Sequence, residues 1–280
     1  MRFSKWQGLG NDFVLLDCRQ QPLNNPAEWS IKLCDRHFGI GADGLALVEA
    51  SEIADVRMRL INNDGSEAEM CGNLIRCVAR YAYEAGIIKS TSLTVETLAG
   101  IIRPQLLLAN GKVDKVKVDM GRPRLTKGEI PVLGEAGAPA RPITISLPDG
   151  QTFVGTAVSM GNPHIVIFVE NIAAIDLAVI GPQIEMHELF PKKINVEFAQ
   201  VLAPDTVRMR VWERGAGITL ACGTGSCATV VAGVLTGRLS RKATVQLDGG
   251  ALEVEWPDNE ASVFMTGPAT EVFRGEWLER

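Results

Sequence analysis

The sequence has little excess charge of either sign and no strong compositional bias. Its 280 residues contain 28 Lys and Arg against 33 Asp and Glu, a net charge of −5, and both signs are mixed along the chain. This balance disfavours binding to nucleic acid through a basic surface. The hydrophobic fraction of 46% and the charged fraction of 22% are those of a globular protein. They exclude a disordered, collagenous or coiled-coil chain.

The chain also lacks a leader-like apolar segment after its first residues, so we expect no signal peptide and a cytoplasmic protein. The longest uncharged run, residues 215–237, could span a bilayer, but it contains six glycines and several Thr and Ser residues. We therefore predict a buried helix there and no membrane association. The six cysteines do not make a disulfide framework in a chain of this length without a secretory signal, so we expect reduced thiols.

The sequence repeats itself at an interval of 151 residues. Three separated matches share this register, which favours a duplication with a pseudo-twofold axis between two homologous halves. The matched pairs are Val56-Arg57-Met58-Arg59 with Val207-Arg208-Met209-Arg210, Cys71-Gly72 with Cys222-Gly223, and Gly10-Asn11 with Gly161-Asn162.

These patterns predict an α+β fold with two pseudo-symmetric lobes, each a curved, mostly antiparallel sheet wrapped round a long central helix. We expect an N-terminal lobe of residues 1–120, to which 268–280 return, and a C-terminal lobe of 121–267. Residues 122–142 are rich in Pro and Gly and read as the linker.

Periodicity and turn residues place the individual elements. Long helices are predicted from Cys71 to a stop at Gly86 and from Cys222 to Gly237. The shorter predicted helices are 26–36 and 181–189, and the clearest predicted strands are 92–97, 113–118, 153–158 and 252–256.

Cys71 and Cys222 each begin a predicted helix. A helix N-terminus has unpaired N–H groups and a positive potential, so it binds a carboxylate and lowers the pKa of a thiol. Two such thiols on opposite sides of one carbon could remove a proton from one face and return one to the other, which is racemisation.

The alternative is that these cysteines are buried structural residues. The repeat favours the chemical interpretation, because Cys71 and Cys222 match in register whereas Cys77 and Cys227 do not, and we assign the latter pair to the core. Zinc is disfavoured because the cysteine spacings are six and five and no histidine lies nearby in sequence, so we predict no metal.

Polar residues at other strand ends are candidate substrate contacts. Glu213-Arg214 precedes a glycine-rich turn and could hold an amino group and a carboxylate together, although a surface ion pair is the alternative. Asn62 stands at the equivalent position of the first half. Asn11 and Asn162 occupy equivalent loop-to-strand junctions, where Asn also simply favours turns. His164 could be a proton shuttle or a structural histidine, and the residues leave this open.

Several motifs, taken together, resemble the diaminopimelate epimerase family. They run in order through nearly the whole chain: GLGNDF at 8–13, RHFGIG at 36–41, NNDGSEAEMCGN at 62–73, GNPH at 161–164, ERGAG at 213–217, ACGTG at 221–225 and MTGP at 265–268.

The resemblance implies interconversion of LL- and meso-2,6-diaminopimelate without a cofactor, for lysine and peptidoglycan synthesis, by a homodimer. It implies Cys71 and Cys222 as the catalytic residues, with His164 and Glu213 assisting. The substrate contacts that it implies are Asn11, Asn62, Gly72, Asn73, Asn162, Asn195, Glu213, Arg214, Gly223 and Thr224.

Two positions depart from the family pattern. Leu74 replaces a usual glycine, and if that position requires a positive φ the leucine should cost stability or distort the carboxylate site. Gly44 stands where some members have a substrate-contacting Gln. The alternatives are therefore a related racemase acting on another amino acid such as histidine, a thiol redox sensor in which Cys71 and Cys222 form a reversible disulfide, and a non-catalytic paralogue.

Overall fold

The computed structural model describes residues 1–278. The chain divides into two compact units. Within the described residues, the first unit comprises Met1–Asp119 and 266–278, and the second is Met120–Met265. The predicted return of residues 268–280 to the first lobe falls in part on residues 279 and 280, which lie outside the described residues.

The described elements are four α-helices, one short 3-10 helix at Ile172–Ala174 and nineteen strands. The helices are α1 (Pro26–Cys34), α2 (Gly72–Glu84), α3 (Leu177–Glu185) and α4 (Gly223–Leu235). The strands that begin in the first unit before Met120 are β1 (Arg2–Gly8), β2 (Asn11–Asp17), β3 (Gly44–Glu49), β4 (Val56–Asn62), β5 (Glu67–Ala68), β6 (Val95–Thr97), β7 (Gly100–Ile102), β8 (Gln105–Ala109) and β9 (Lys112–Asp119). The remaining strands are β10 (Ile143–Ser146), β11 (Thr152–Ser159), β12 (Pro163–Phe168), β13 (Asn195–Ala203), β14 (Thr206–Glu213), β15 (Gly217–Thr219), β16 (Lys242–Leu247), β17 (Gly250–Glu255), β18 (Phe264–Gly267) and β19 (Thr270–Glu276).

The first unit contains a sheet of strand order β19-β1-β2-β3-β4-β6-β7, with β5 paired to β4. The β2–β3 and β4–β6 pairs are parallel and the others are antiparallel. Strands β8 and β9 form a hairpin whose turn residues, Asn110 and Gly111, have φ of 52° and 75°. Two positive φ angles are what a tight two-residue hairpin requires, and Asn-Gly adopts them readily.

The sheet of the second unit repeats this order as β10-β11-β12-β13-β14-β16-β17, with β15 paired to β14. Its parallel pairs, β12–β13 and β14–β16, are the equivalents of those in the first unit. Helices α1 and α2 recur as α3 and α4 with the same lengths, 151 residues later. Both units therefore have one topology, as the repeat predicts.

Each of the two long helices lies against strands of its own unit. Helix α4 contacts β11, β12, β13, β14, β16 and β17, and α2 contacts β1, β4, β8 and β9. Both stop as predicted, because Gly86 and Gly237 take a φ of +69° just after the helix, a conformation that glycine adopts without strain. The α+β prediction of a mostly antiparallel sheet around a central helix is confirmed in each unit.

The short helix of the second unit was predicted at 181–189 and this is wrong by about one turn. Helix α3 begins at Leu177 and ends at Glu185, with Pro182 inside it. The repeat gives these bounds from α1, and the apolar residues Leu177, Ile180 and Ile184 that it buries lie on one helical face. None of the helices within residues 1–278 combines the length and the apolar character of a membrane span.

Alternation along the strands gives the second sheet two different faces. Ile165, Ile167, Val196 and Phe198 belong to an apolar cluster with α3. The intervening positions on β12 and β13 include the buried polar residues His164, Asn195 and Glu197. A Cβ atom on Gly225 of α4 would lie 2.6 Å from Oε1 of Glu197. The face toward α4 is therefore where the polar side chains collect.

Candidate active site

Cys71 and Cys222 are the N-cap residues of α2 and α4. Both have extended backbone conformations, with φ and ψ of −139° and 120° for Cys71 and −123° and 113° for Cys222. The thiols are thus presented in the same way at the starts of equivalent helices, whose first N–H groups have no partner within the helix.

The residues around the first thiol, here called the Cys71 cluster, are Asn11, Asp43, Cys71 and Asn73. The Cys71 thiol donates to Oδ1 of Asn11 at 3.7 Å, and Nδ2 of Asn73 donates to the same oxygen at 3.3 Å. Nδ2 of Asn11 donates to Oδ2 of Asp43 at 2.7 Å. The Asn11 amide is therefore held in one orientation, with its oxygen toward the thiol.

Charged residues behind Asn11 fix the loop that carries Asp43. Asp12 pairs with Lys5 at 2.7 Å and with Arg36 at 2.8 Å, and Arg36 also pairs with Asp43 at 2.8 Å. Burial alone would raise the pKa of Asp12, but hydrogen bonds from Arg36 and Lys5 and their charges lower it below its ordinary value. This network sets the backbone positions of Asn11 and Asp43.

A fully buried arginine supports the start of α2. Arg76 donates to the Gly72 carbonyl at 2.7 Å, to Oδ1 of Asn73 at 3.0 Å and to the Pro268 carbonyl at 3.0 Å. A Cβ atom at Gly8 would lie 2.9 Å from the guanidinium and 3.2 Å from the Asn73 carbonyl oxygen, so the glycine allows this close approach. Arg76 thus orients Asn73, a predicted substrate contact.

The second thiol is buried and 4% exposed. Its Sγ accepts a hydrogen bond from the Gly225 amide at 3.4 Å and lies 3.5 Å from Oγ1 of Thr224. The expectation that a helix N-terminus lowers the pKa of this thiol is wrong for Cys222. Burial, with the carboxylates of Glu213 and Glu197, raises its pKa well above the ordinary value, and the hydrogen bonds offset this only in part.

His164 lies beside this thiol in a chain of hydrogen bonds. Its Nδ1 is 2.6 Å from Oε1 of Glu197 and its Nε2 is 3.0 Å from Oδ1 of Asn162. Ligand atoms of His164, Glu197 and Cys222 all lie within 4.8 Å of one another. We interpret the histidine and carboxylate as a hydrogen-bonded pair, because two ligands on one tetrahedral zinc lie about 3.3 Å apart, farther than this contact.

Glu213 is the last residue of β14 and Arg214 follows it, so the pair lies at a strand end as predicted, and Asn195 lies next to them. Oδ1 of Asn195 accepts from the Arg214 amide at 2.9 Å, while its Nδ2 donates to the Pro163 carbonyl at 2.7 Å. The Thr219 hydroxyl donates to Glu213. Asn195, buried to 3% exposure, therefore joins the ends of two strands and fixes the backbone of Arg214.

Neither departure from the family pattern strains the backbone. Leu74 is a helical residue in the first turn of α2 and is fully buried, so the expected cost of a positive φ does not arise. At Gly44 a Cβ atom would lie 2.8 Å from a methyl group of Leu60 and 3.1 Å from the Ile61 carbonyl. A glycine therefore fits at this position without displacing Leu60 or the Ile61 carbonyl. It lies opposite Asn62, whose Nδ2 donates to Oγ of Ser66 at 2.9 Å.

Known proteins match the whole chain. A family model of diaminopimelate epimerase matches residues 3–126 and 156–272. A diaminopimelate epimerase from Pelotomaculum thermopropionicum is 54% identical over 284 residues, covering 100% of both chains. One from Methanococcus maripaludis is 52% identical over 276 residues, covering 99% of each. The chain belongs to the diaminopimelate epimerase family.

Solved structures of low sequence identity share the fold of this family member. A phenazine biosynthesis protein of the PhzF family from Bacillus anthracis superposes with a TM-score of 0.68 at 17% identity, covering 100% of this chain and 99% of that one. A probable proline racemase from Agrobacterium radiobacter, solved with bound carbonate, gives a TM-score of 0.69 at 16% identity, covering 99% and 92%. These likenesses confirm the predicted fold class.

Sequence reasoning on this family member missed two groups near the thiols, Arg76 and Glu197. Both are charged residues at positions that the element pattern makes internal, one in α2 and one in β13. Their repeat equivalents are Cys227 and Ala46, which are small and uncharged. A charged residue whose repeat equivalent is small and uncharged could have identified both positions from the sequence.

Proposed function

We propose that the protein interconverts LL- and meso-2,6-diaminopimelate by a two-base reaction that uses no cofactor and no metal, with Cys71 and Cys222 as the proton carriers. The observation that carries this proposal is the equivalence of the two thiols, each the N-cap of a helix of the same length 151 residues apart. Identities above 50% to diaminopimelate epimerases support the choice of substrate.

The proton balance of the reaction requires the two cysteines in different states. A thiolate takes the α-proton from one face of the carbon, and a thiol gives its proton to the other face. The raised pKa of Cys222 supports this cysteine as the resting thiol. After one turnover both sulfurs hold the opposite state, and the net number of protons is unchanged.

The carboxylate next to the reacting carbon would be held at the helix N-termini. The first-turn N–H groups of α2 and α4 have no helical partners and carry positive potential, which suits an anion. We assign Gly72 and Asn73 in α2, and Gly223 and Thr224 in α4, to this carboxylate. This places charge stabilisation beside both sulfurs.

The other end of the substrate is an amino group with its own carboxylate. We assign the carboxylate to the bidentate fork of Arg214 and the amino group to Glu213, with Asn62 and Asn195 completing the contacts. Asn195 supports this role by fixing the Arg214 amide at 2.9 Å.

Three further residues complete the proposed site. Asn11, Asn162 and His164 lie next to the sulfurs or to their hydrogen-bonded neighbours, which supports contacts near the reacting carbon and an assisting role for His164. We also propose a cytoplasmic homodimer acting in lysine and peptidoglycan precursor synthesis. Sedimentation or light scattering measures the oligomeric state.

Turnover of a panel of amino acids tests the proposed reaction. LL- and meso-diaminopimelate, L-histidine and other single amino acids are each incubated with the protein in the presence of a chelator, and stereoisomers are separated chromatographically. We expect interconversion of the two diaminopimelate isomers and none of the monoamino acids. Turnover of histidine without diaminopimelate contradicts the proposal, and so does loss of activity on chelation.

A further inference from the structure

A buried carboxyl group near Cys222 has no part in the reaction as described so far. Glu197 lies in β13 and is fully buried. Its Oε1 contacts Nδ1 of His164 at 2.6 Å, whereas its Oε2 has no hydrogen-bond partner among the described residues. An ionised carboxylate in such a position is costly unless a charge balances it. Burial raises the pKa of Glu197 accordingly.

The hydrogen bonds of His164 fix how many protons this pair holds. Nε2 faces Oδ1 of Asn162, which only accepts, so Nε2 carries a hydrogen. The contact between Nδ1 and Glu197 then needs one more proton, held by either the imidazole or the carboxyl group. Both arrangements have no net charge, which suits a buried pair. His164 and Glu197 therefore share one mobile proton.

This proton lies beside the second thiol. The titratable groups that face Glu197 are His164 on β12, Glu213 on β14 and Cys222 at the start of α4. The absence of a side chain at Gly225 allows Glu197 to lie this close to the start of α4. A Cβ atom there would lie 2.6 Å from Oε1 of Glu197 and 3.2 Å from Sγ of Cys222.

The three equivalent positions of the first unit hold no such pair. The residues equivalent to His164, Glu197 and Gly225 are Phe13, Ala46 and Leu74, all buried and apolar. His164, Glu197 and Gly225 therefore occur together beside Cys222, and all three are replaced together at the equivalent positions near Cys71.

We propose that Glu197 is a positioning residue: its carboxyl group orients the imidazole of His164 and, together with it, holds one mobile proton beside Cys222. The effect on turnover rests on the proposed two-base function, whereas the arrangement of protons does not. Glu197 acts through His164 and contacts no substrate atom.

A double-mutant cycle tests the dependence on His164. Glu197→Gln keeps the shape and can still donate to Nδ1, but it removes the shared proton. We expect kcat/KM to fall about 10- to 100-fold, the range known for hydrogen-bond partners of metal-bound histidines. In a His164→Asn background the same change should have almost no further effect. The matched control is Glu96→Gln, the same change at a half-buried carboxylate bound to Ser51 at 2.6 Å, which should leave kcat/KM unchanged. Independent losses at Glu197 and His164, or an equal loss in the control, overturn the proposal.

Two measurements do not require turnover. The chain has only three histidines, so ¹⁵N-histidine spectra are simple, and the short Nδ1 contact should give a far-downfield imidazole proton. Glu197→Gln should abolish this resonance while those of His37 and His187 stay in place. In a Cys71→Ala background, the pH midpoint for alkylation of Cys222 should shift in Glu197→Gln, because one of the groups that set the pKa of Cys222 is replaced and the shared proton is lost.

These measurements distinguish failure of the proposed epimerase function from failure of the proposed His164–Glu197 pair. If the wild-type protein does not turn over diaminopimelate but the downfield proton and the alkylation shift are present, the proposed function fails and the proton-holding pair stands. If the downfield proton is absent from the wild-type protein, or is unchanged in Glu197→Gln, the pair does not exist as described. Circular dichroism of each variant is the control for retention of the fold.

Discussion

Replacing Leu74 by glycine should weaken the protein rather than improve it. Leu74 lies in the first turn of α2 and is fully buried, and its repeat partner, Gly225, is a glycine because Glu197 occupies the adjacent space. Removing a buried leucine side chain costs about 2 to 5 kcal/mol, and glycine adds up to about 1 kcal/mol within a helix. We expect a loss of about 3 to 6 kcal/mol in the unfolding free energy of the first unit.

Urea unfolding measured by circular dichroism, with the two units treated as separate transitions, gives this loss as a lower midpoint. Leu74→Met is the matched control, because a swap of similar volume should cost less than about 1.5 kcal/mol. If Leu74→Gly instead has wild-type stability and a higher kcat/KM, the reasoning is wrong. Leu74 would then be a strained substitution in the carboxylate site.

Three other changes test the supporting interactions. Arg214→Ala should lower kcat/KM for diaminopimelate about 10- to 150-fold, because a charge-assisted contact worth about 1.5 to 3 kcal/mol is lost. Arg214→Lys should recover little of this loss. An unchanged kcat/KM in Arg214→Ala contradicts the assignment of Arg214 to the distal carboxylate. Asp12→Asn should lower the free energy of unfolding at pH 7 by about 1 kcal/mol, because the pKa of Asp12 in the folded state lies below its ordinary value. This stabilisation is present above about pH 4 and is lost as the pH falls through the folded-state pKa. Urea titrations in which the difference between variant and wild type persists in acid contradict this prediction. Arg76→Lys should lower the free energy of unfolding by about 2 to 4 kcal/mol in the same assay, because one ammonium group cannot donate to the acceptors on Gly72, Asn73 and Pro268 together. An unchanged free energy of unfolding would show that these contacts do not stabilise the fold.

The repeat made much of the fold predictable. It ties α4 to α2 and gives each unit the same strand order, and the glycines after both helices mark their ends. Helix α3 was misplaced because its apolar pattern was judged alone and the register from α1 was not applied. Local patterns fix element boundaries poorly, whereas a repeat carries information from one half to the other.

The candidate site was predictable in its residues but not in its electrostatics. The position of Cys222 at a helix start follows from sequence, yet the direction of its pKa depends on burial and on Glu197, which lies 25 positions away in the chain. Likewise, the tight fit around Gly44 depends on its close approach to Leu60 and Ile61 across the strand pair. Both effects come from tertiary neighbours, which spacing along one chain does not reveal.

Exchange of the substrate α-hydrogen in deuterated water tests the two-thiol account most directly. With the wild-type protein, mass spectrometry should find deuterium at the α-carbon of diaminopimelate product formed from either isomer. Cys71→Ala and Cys222→Ala should each abolish epimerisation, because inversion needs an acid and a base on opposite faces and neither sulfur can serve as both. Epimerisation at the wild-type rate in either alanine variant, or inversion without deuterium incorporation, would contradict the account.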